Sequence, residues 1–258
     1  MTDRDMRHGM HTKAGGASIR GEEDERKRLR MAPEERRESI LDAAQRLFLA
    51  RGWDAVTIAD VLAEAGISKG GFYHHFTAKE ELLDGLVQRM TWQGMSVAQA
   101  AQKAADGDAL SRFNAFIAAT NRWRVHRAPE LKFIADVLLR PENDALFHRI
   151  NAEASRVALP MLQEMIDEGV AEGCFTVTDS QMAAEVILAL GPGRRDISQK
   201  AIAIAEDGDV DDAIRLLNER MIAEGAMLDR LLGLPIGSVA LADPDEFRMM
   251  IAEIAGSR

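Results

Sequence analysis

Between residues 68 and 79 the chain carries Ser68, Lys69, Tyr73, His74, His75 and Lys79 around a pair of glycines, Gly70 and Gly71. These side chains suit recognition better than bond-making. A hydroxyl, an ammonium, a phenol and imidazoles on a short helix match the donors and acceptors that base pairs present in the major groove. The glycines let the helix backbone come close to what it reads, at roughly 1 kcal/mol each of lost helix propensity. A purely structural helix has no use for that loss.

Such a helix needs a rigid mount, and the preceding residues describe one. Thr57 followed by Asp60 is a capping-box start, in which the hydroxyl takes a first-turn amide and the carboxylate reaches back. Gly66 stands where the chain must reverse, because glycine takes positive φ without steric cost, and Ser68 can cap the second helix. Phe72 and Phe76, four apart, turn inward against Val61, Leu62 and Ile67. Upstream, Pro33 to Arg51 reads as a helix with Pro33 at its first position and Ile40, Leu41, Ala44, Leu47 and Phe48 on one face, ended by Gly52. Downstream, Thr77 and Glu80 suggest a second capping box that opens a connecting helix with Leu82, Leu83, Leu86, Val87 and Met90 on its apolar face. The unit is a three-helix helix-turn-helix domain with a fourth helix as connector.

Residues from about 36 to 90 resemble the DNA-binding domain of the TetR family of transcriptional regulators. The resemblance rests on Ile40-Leu41-Asp42-Ala43-Ala44, Leu47-Phe48, Gly52-Trp53-Asp54, Thr57-Ile58-Ala59-Asp60-Val61, Ala65-Gly66-Ile67-Ser68-Lys69-Gly70, Phe72-Tyr73-His74-His75-Phe76 and Lys79-Glu80-Glu81-Leu82-Leu83. Leu62 departs from the family's usual small alanine, and Gly71 from its common threonine or serine. The resemblance implies DNA-binding residues at Thr57, Ser68, Lys69, Gly70, Gly71, Tyr73, His74 and Lys79. Tyr73 and Lys79 resemble the family's phosphate-contacting residues, while Ser68, Lys69, Gly71 and His74 lie nearer the base edges. It also implies dimerisation through the last two main helices.

Net charge is −10, from 32 Lys and Arg against 42 Asp and Glu. The acid is unevenly spread. Residues 1–90 hold 15 basic and 16 acidic side chains, and residues 91–258 hold 17 and 26. Basic groups must therefore act locally, and Arg26, Lys27, Arg28, Arg30, Arg36 and Arg37 cluster just before the motif. Residues 1–31, rich in charge and glycine, are expected to be a disordered N-terminal arm. Arg26 to Arg30 can be read as an arm touching phosphates or as a solvated tail; His8 and His11 in the same segment do not make a metal site. The single cysteine, Cys174, precludes an internal disulfide framework. No eighteen-residue apolar run and no secretory signal is present, so a soluble cytoplasmic protein without a membrane contact is expected.

Beyond residue 91 strand-like alternation is absent, and Gly, Pro and Asp punctuate long helical stretches. Residues 32–90 are expected to form the helix-turn-helix domain with its connector, and residues 91–258 a larger helical ligand-binding and dimerisation domain, making the protein all-α. Pro160 falls inside a long helix from about Glu142 to Glu172. Gln181 to Leu190 and Val210 to Leu232 are the dimer candidates, the latter through Val210, Ile214, Leu217, Met221 and Leu228 with Gly225 allowing close approach; ordinary core packing is the other reading. Trp92, Met95, Phe113, Phe116, Trp123, Phe133, Met161 and Met165 are candidate pocket residues, since flexible methionine and aromatic rings suit a cavity for apolar molecules, and equally suit a core. Asn121, Arg122, Arg124, His126, Arg127 and Arg140 could orient a polar ligand group.

An enzyme finds little support, with no Gly-rich phosphate loop, nucleophile elbow or paired histidines at metal-ligand spacing. No cofactor or metal is called for. The expectation is a dimeric regulator, foremost a repressor, that binds a palindromic double-stranded DNA operator and responds to an unidentified small-molecule effector. The alternative is a DNA-binding regulator or adaptor without a ligand.

Overall fold

A computed structural model describes residues 32–241 together with Asp243, Asp245, Glu246, Arg248, Met249 and Ile251. The N-terminal arm and its basic cluster from Arg26 to Arg30 lie outside the described residues. Ten α-helices are found among those described: α1 Pro33–Arg51, α2 Ile58–Ala65, α3 Lys69–Tyr73, α4 Lys79–Ala104, α5 Ala109–Val125, α6 Ala128–Leu138, α7 Asp144–Ala171, α8 Ser180–Ala189, α9 Arg195–Glu206 and α10 Val210–Leu232. Single 3-10 turns at Pro141–Asn143 and Pro192–Arg194 precede α7 and α9. The fold is all-α, as the patterning implied. None of the described helices is long and apolar enough to cross a membrane.

Local chemistry sets the first three helices. Glu34 and Glu35 occupy the first turn of α1, where the helix dipole favours acids. Thr57 Oγ1 accepts from the Asp60 amide at 3.2 Å while the Thr57 amide donates to Asp60 Oδ2 at 2.8 Å, so the expected box opens α2. Gly66 ends α2 in the left-handed region at φ 63°, turning the chain into α3. Ile40, Leu41, Leu47, Phe48, Val61, Phe72, Phe76 and Leu82 then close one core, each nearly or wholly buried. Burying a side chain of that size contributes about 1.5–3 kcal/mol, which is what holds a five-residue helix such as α3 that could not persist alone.

The start of α4 differs from the sequence expectation. Its N-cap is Ala78, which has no side chain to cap with. Glu81, not Glu80, accepts from the Thr77 amide at 2.7 Å and from the Thr77 hydroxyl at 2.6 Å. Thr77 lies one residue before the cap, so a carboxylate one position later is the one in reach. From there α4 runs unbroken through residues 90 and 91, and the DNA-binding and C-terminal parts share a single helix. Gly85 packs it tightly on α1, since a Cβ there would meet Leu41 Cδ2 at 2.8 Å.

The C-terminal part packs α5, α7, α8 and α10 around Phe113, Leu162, Met165, Ile166, Phe175 and Leu228. Pro160 is accommodated inside α7. The dimer residues named from the sequence do not form a free face. Ile214 and Leu217 are buried in the protomer's own cluster with Ala201, Ala205 and Ile251, against which Val210 is also packed. Leu228 belongs to the core around Phe113, and Met221 is buried too. Gly225 does permit a close approach, but to Val239 O of the same chain, 3.2 Å from where a Cβ would stand. A wide apolar stripe on α10 was expected to need an outside partner; the chain's own α9 and the segment after α10 supply it. What stays exposed on the two candidate helices is Met182 and Val186 on α8 and Ile222 and Met227 on α10.

Candidate functional site

The surface of the helix-turn-helix carries the expected residues. Thr57, Ser68, Lys69, Gly70, Tyr73 and His74 are all exposed, while Gly71 is half-buried. Ser68 Oγ caps α3 by accepting from the Gly71 amide at 3.1 Å. Lys69 Nζ lies 5.9 Å from the centre of the Tyr73 ring, and Tyr73 meets Phe72 edge-on at 5.4 Å. Phe72 is fully buried, so its anchorage fixes the direction in which Tyr73 and His74 project.

The two glycines have no internal reason to be glycine. A Cβ at Gly70 would touch nothing within 4 Å, and one at Gly71 would meet only Ser68 Oγ, at an ordinary 3.4 Å. Neither has positive φ. The open space therefore lies outside the protein, where a DNA backbone or base edge would come.

Lys79 is placed differently from the exposed side chains of α3. Its ammonium donates to the Trp53 carbonyl and sits 4.3 Å from the Trp53 ring centre and 5.8 Å from that of Phe48. Burial holds its pKa below the ordinary lysine value. The side chain thus clamps the turn after α1 onto the start of α4. The first-turn amides of α4, which follow an N-cap without a capping side chain, keep the helix-end field that favours an anion.

A second feature is a cavity of about 280 Å³ between α4, α5, α6, α7 and the end of α8. Of the eight pocket candidates, Met95 and Trp123 line it. The others do not. Trp92 is 65% exposed, Phe113 and Met165 are buried in the core with Phe116 packed against it, and Met161 is half-buried away from the cavity. Phe133 instead stacks on Phe48 of the DNA-binding domain, ring centres 5.2 Å apart and 12° from parallel. Apart from the exposed Trp92, these residues do turn inward, but residue type did not say which of several interiors they face.

Sequence reasoning missed Met90 and Gly94 on α4 and Leu131 and Ile134 on α6 as cavity residues. For α4 the signal was present: Val87, Met90, Gly94 and Met95 continue the apolar period of the connector into the next domain. Gly94 lets Trp123 pack against the helix, since a Cβ there would stand 3.2 Å from the indole. Arg124, named as a possible partner for a polar ligand group, also lines the cavity.

The helix α6 touches both features. Leu131 and Ile134 line the cavity, while Phe133 stacks on Phe48. Just past its end Arg140 reaches Asp54, beside Trp53, with both guanidinium nitrogens at 3.2 and 3.0 Å. On the connector side, Arg149 of α7 binds Asp84 of α4 at 2.6 Å. Desolvation raises the Asp84 carboxyl's pKa, against the opposing pull of Arg149.

A short capped helix presenting hydrogen-bonding side chains, held by a turn on a three-helix core, defines a helix-turn-helix DNA-binding protein. Residues 40–86 match the family model of bacterial regulatory proteins of the tetR family. The HTH-type transcriptional repressor KstR2 of Mycolicibacterium smegmatis is 29% identical over 148 residues, spanning 55% of this chain and 69% of that one. The HTH-type transcriptional regulator YerO of Bacillus subtilis is 49% identical over 49 residues, 19% of this chain and 17% of that one. Among solved structures, a TetR-family transcriptional regulator from Pectobacterium atrosepticum aligns with TM-score 0.57 at 25% identity, over 79% of this chain and 97% of that one. Over residues 40–86 the chain carries the helix-turn-helix domain of the tetR family of bacterial regulatory proteins, and beyond it the chain is similar in fold to a TetR-family regulator.

Proposed function

We propose that the protein is a homodimeric repressor released from a palindromic operator by a small molecule. The observation that carries this reading is the two-sidedness of α6, which bears cavity residues Leu131 and Ile134 and the residue that stacks on the DNA-binding core, Phe133. A molecule that fills the cavity presses on α4 and α6 together, and both hold the helix-turn-helix. Each subunit inserts α3 into a major groove, and the ligand changes the spacing of the two helices by favouring one arrangement of α4 and α6. Repression as the sign of regulation is supported by the relative KstR2, itself a repressor. As a DNA-binding regulator the protein acts in the cytoplasm by binding, not by catalysis.

Within the site, Lys69 and His74 are the base-reading residues, with Ser68 and Gly71 alongside. Tyr73, Thr57 and the amide-rich start of α4 hold phosphates. Lys79 contributes through the turn it clamps as well as through charge. The dimer forms through α8 and α10, with Ile222, Met227, Met182 and Val186 in place of the buried residues first expected. The test is titration of purified protein against an inverted repeat selected from genomic DNA and against a scrambled duplex at moderate salt. Tight binding to the repeat alone is expected, and equal affinity for both would overturn the operator reading.

A further inference from the structure

Among the described residues, the wall of the cavity carries one charged side chain, Arg124 of α5. It is an exposed residue that lines the cavity, and the surrounding protein, with a smaller contribution from Arg194, lowers its pKa to about 10. It is still a full cation at neutral pH. Exposure together with its place in the cavity wall describes a side chain beside an open space, not one packed into a core.

Nothing among the described residues neutralises it. Arg194 nearby is already committed to the buried Glu224, which accepts from Arg194 Nε at 2.6 Å and from Arg220 Nε at 2.5 Å. The arginines at the domain junction, Arg89, Arg140, Arg149 and Arg195, all have carboxylate partners. Three polar neighbours in the cavity are also occupied: the Thr91 hydroxyl donates to Val87 O at 2.8 Å, the Thr120 hydroxyl to Phe116 O at 2.9 Å, and the Asn151 amide to Phe147 O at 2.8 Å, with Ser155 as the further polar residue of the wall. The remaining wall is largely apolar, with Met90, Met95, Trp123, Leu131, Ile134 and Leu188. A cation in the cavity wall without a counter-ion keeps its donors for a ligand, and a carboxylate is the planar partner its fork matches.

We propose that the cavity binds an amphipathic organic acid, whose carboxylate pairs with Arg124 while its hydrocarbon part lies against the methionines, Trp123 and the α6 residues Leu131 and Ile134. This rests on reading the cavity as the effector site, but binding itself can be measured without DNA. An apolar ligand with a neutral or cationic head would leave Arg124 unpaired or repelled, so the charge selects among molecules that the apolar wall alone would accept.

Calorimetric titration of the full chain with decanoate, 1-decanol and decyltrimethylammonium tests it. Decanoate is expected to bind at least tenfold more tightly than the other two. Arg124→Met should erase that preference, Arg124→Lys should keep part of it, and the melting temperature of ligand-free Arg124→Met should equal or exceed that of the unaltered protein. Equal affinities for the three probes, no binding of decanoate, or a preference that survives in Arg124→Met would overturn the assignment. Should Arg124→Met fail to fold, Arg124→Gln replaces it in the same comparison. Decanoate binding that depends on Arg124 but leaves operator affinity unchanged would uphold this inference while removing ligand release from the proposed function.

Discussion

Arg140, two residues past the end of α6, grips Asp54 in the turn after α1 with a two-pronged contact at 3.2 and 3.0 Å across 86 residues of sequence. The pair is largely solvent-facing, so its part in stability is small. Its part in geometry is larger, because it fixes α6 to the turn that Lys79 clamps from the other side. Arg140→Ala is expected to leave the melting temperature within a degree or two, to leave operator affinity without ligand nearly unchanged, and to weaken the loss of operator affinity that ligand causes. Anisotropy titrations with and without the effector read this directly; full ligand response in Arg140→Ala would remove the pair from the coupling.

Gly70 offers a test in which stability and binding move in opposite directions. Its Cβ space is empty within the protein, so Gly70→Ala should stabilise the domain by up to about 1 kcal/mol through helix propensity. The added methyl should at the same time obstruct the approach to DNA and lower operator affinity. Thermal melts and operator titrations of one variant decide it, and unchanged binding would place the DNA-reading face elsewhere.

Base reading and phosphate holding separate by variant. Lys69→Ala and His74→Ala should relax preference at particular operator positions, with about 1–3 kcal/mol of discrimination lost per good base contact. Tyr73→Phe should weaken all sequences by similar factors. Lys79→Ala should do the same and also lower the melting temperature, since it loosens the Trp53 turn. A panel of single-base operator changes, after circular dichroism confirms folding, would expose the opposite pattern if α3 docks in another way.

The dimer prediction follows the exposed residues. Ile222→Asp combined with Met227→Lys should give folded monomers by sedimentation, because both side chains are exposed in the protomer, at 65% and 51%. Leu217→Asp should instead unfold the protomer, since it places an unpaired charge among Ala201, Ala213 and Ile251 at a cost of several kcal/mol. A double variant that stays dimeric would move the interface off α10.

His75 gives the domain a pH dependence. Burial, followed by the positive charges of His74, Arg36 and Arg37, lowers its pKa below the ordinary 6.5. The unfolded chain then binds a proton that the folded one resists, so stability is fully present above about pH 6.5 and declines as pH falls from there through the lowered value. Melting temperatures from pH 7.5 to 5.0 should therefore fall less steeply in His75→Gln than in the unaltered protein. Parallel curves would show that other groups set the acid limit.

The helix-turn-helix was legible because its signals are local. Thr57 with Asp60, Gly66 and Ser68 each act within four residues, and all appear where the sequence put them. The start of α4 shows how narrow that legibility is, since Thr77 found Glu81 by reaching one residue farther than the usual box. In the C-terminal domain apolar period said which side chains turn inward, but several interiors compete for them. Phe133 went to the DNA-binding core, Phe113 to the core around Phe175, and Leu217 to a seam with α9. Which neighbour a face meets depends on how all the helices assemble, and no short window of sequence contains that. The exposed Ile222 and the place of Arg124 in the cavity wall are both visible only once the faces are assigned.

The continuity of α4 has a mechanical consequence. With no interruption between Lys79 and Ala104, the helix transmits rotation but has no joint at which to absorb it. Gly94, at the cavity wall, lies fifteen residues from Lys79, about 22 Å along the axis at 1.5 Å per residue. A tilt of about 5° at the cavity end therefore carries the Lys79 end through about 2 Å. In the proposed two-fold pair the two ends move in symmetry-related senses, so the separation of the reading heads changes by as much as twice that, about 4 Å and longer than a hydrogen bond, for a displacement that barely reshapes the cavity.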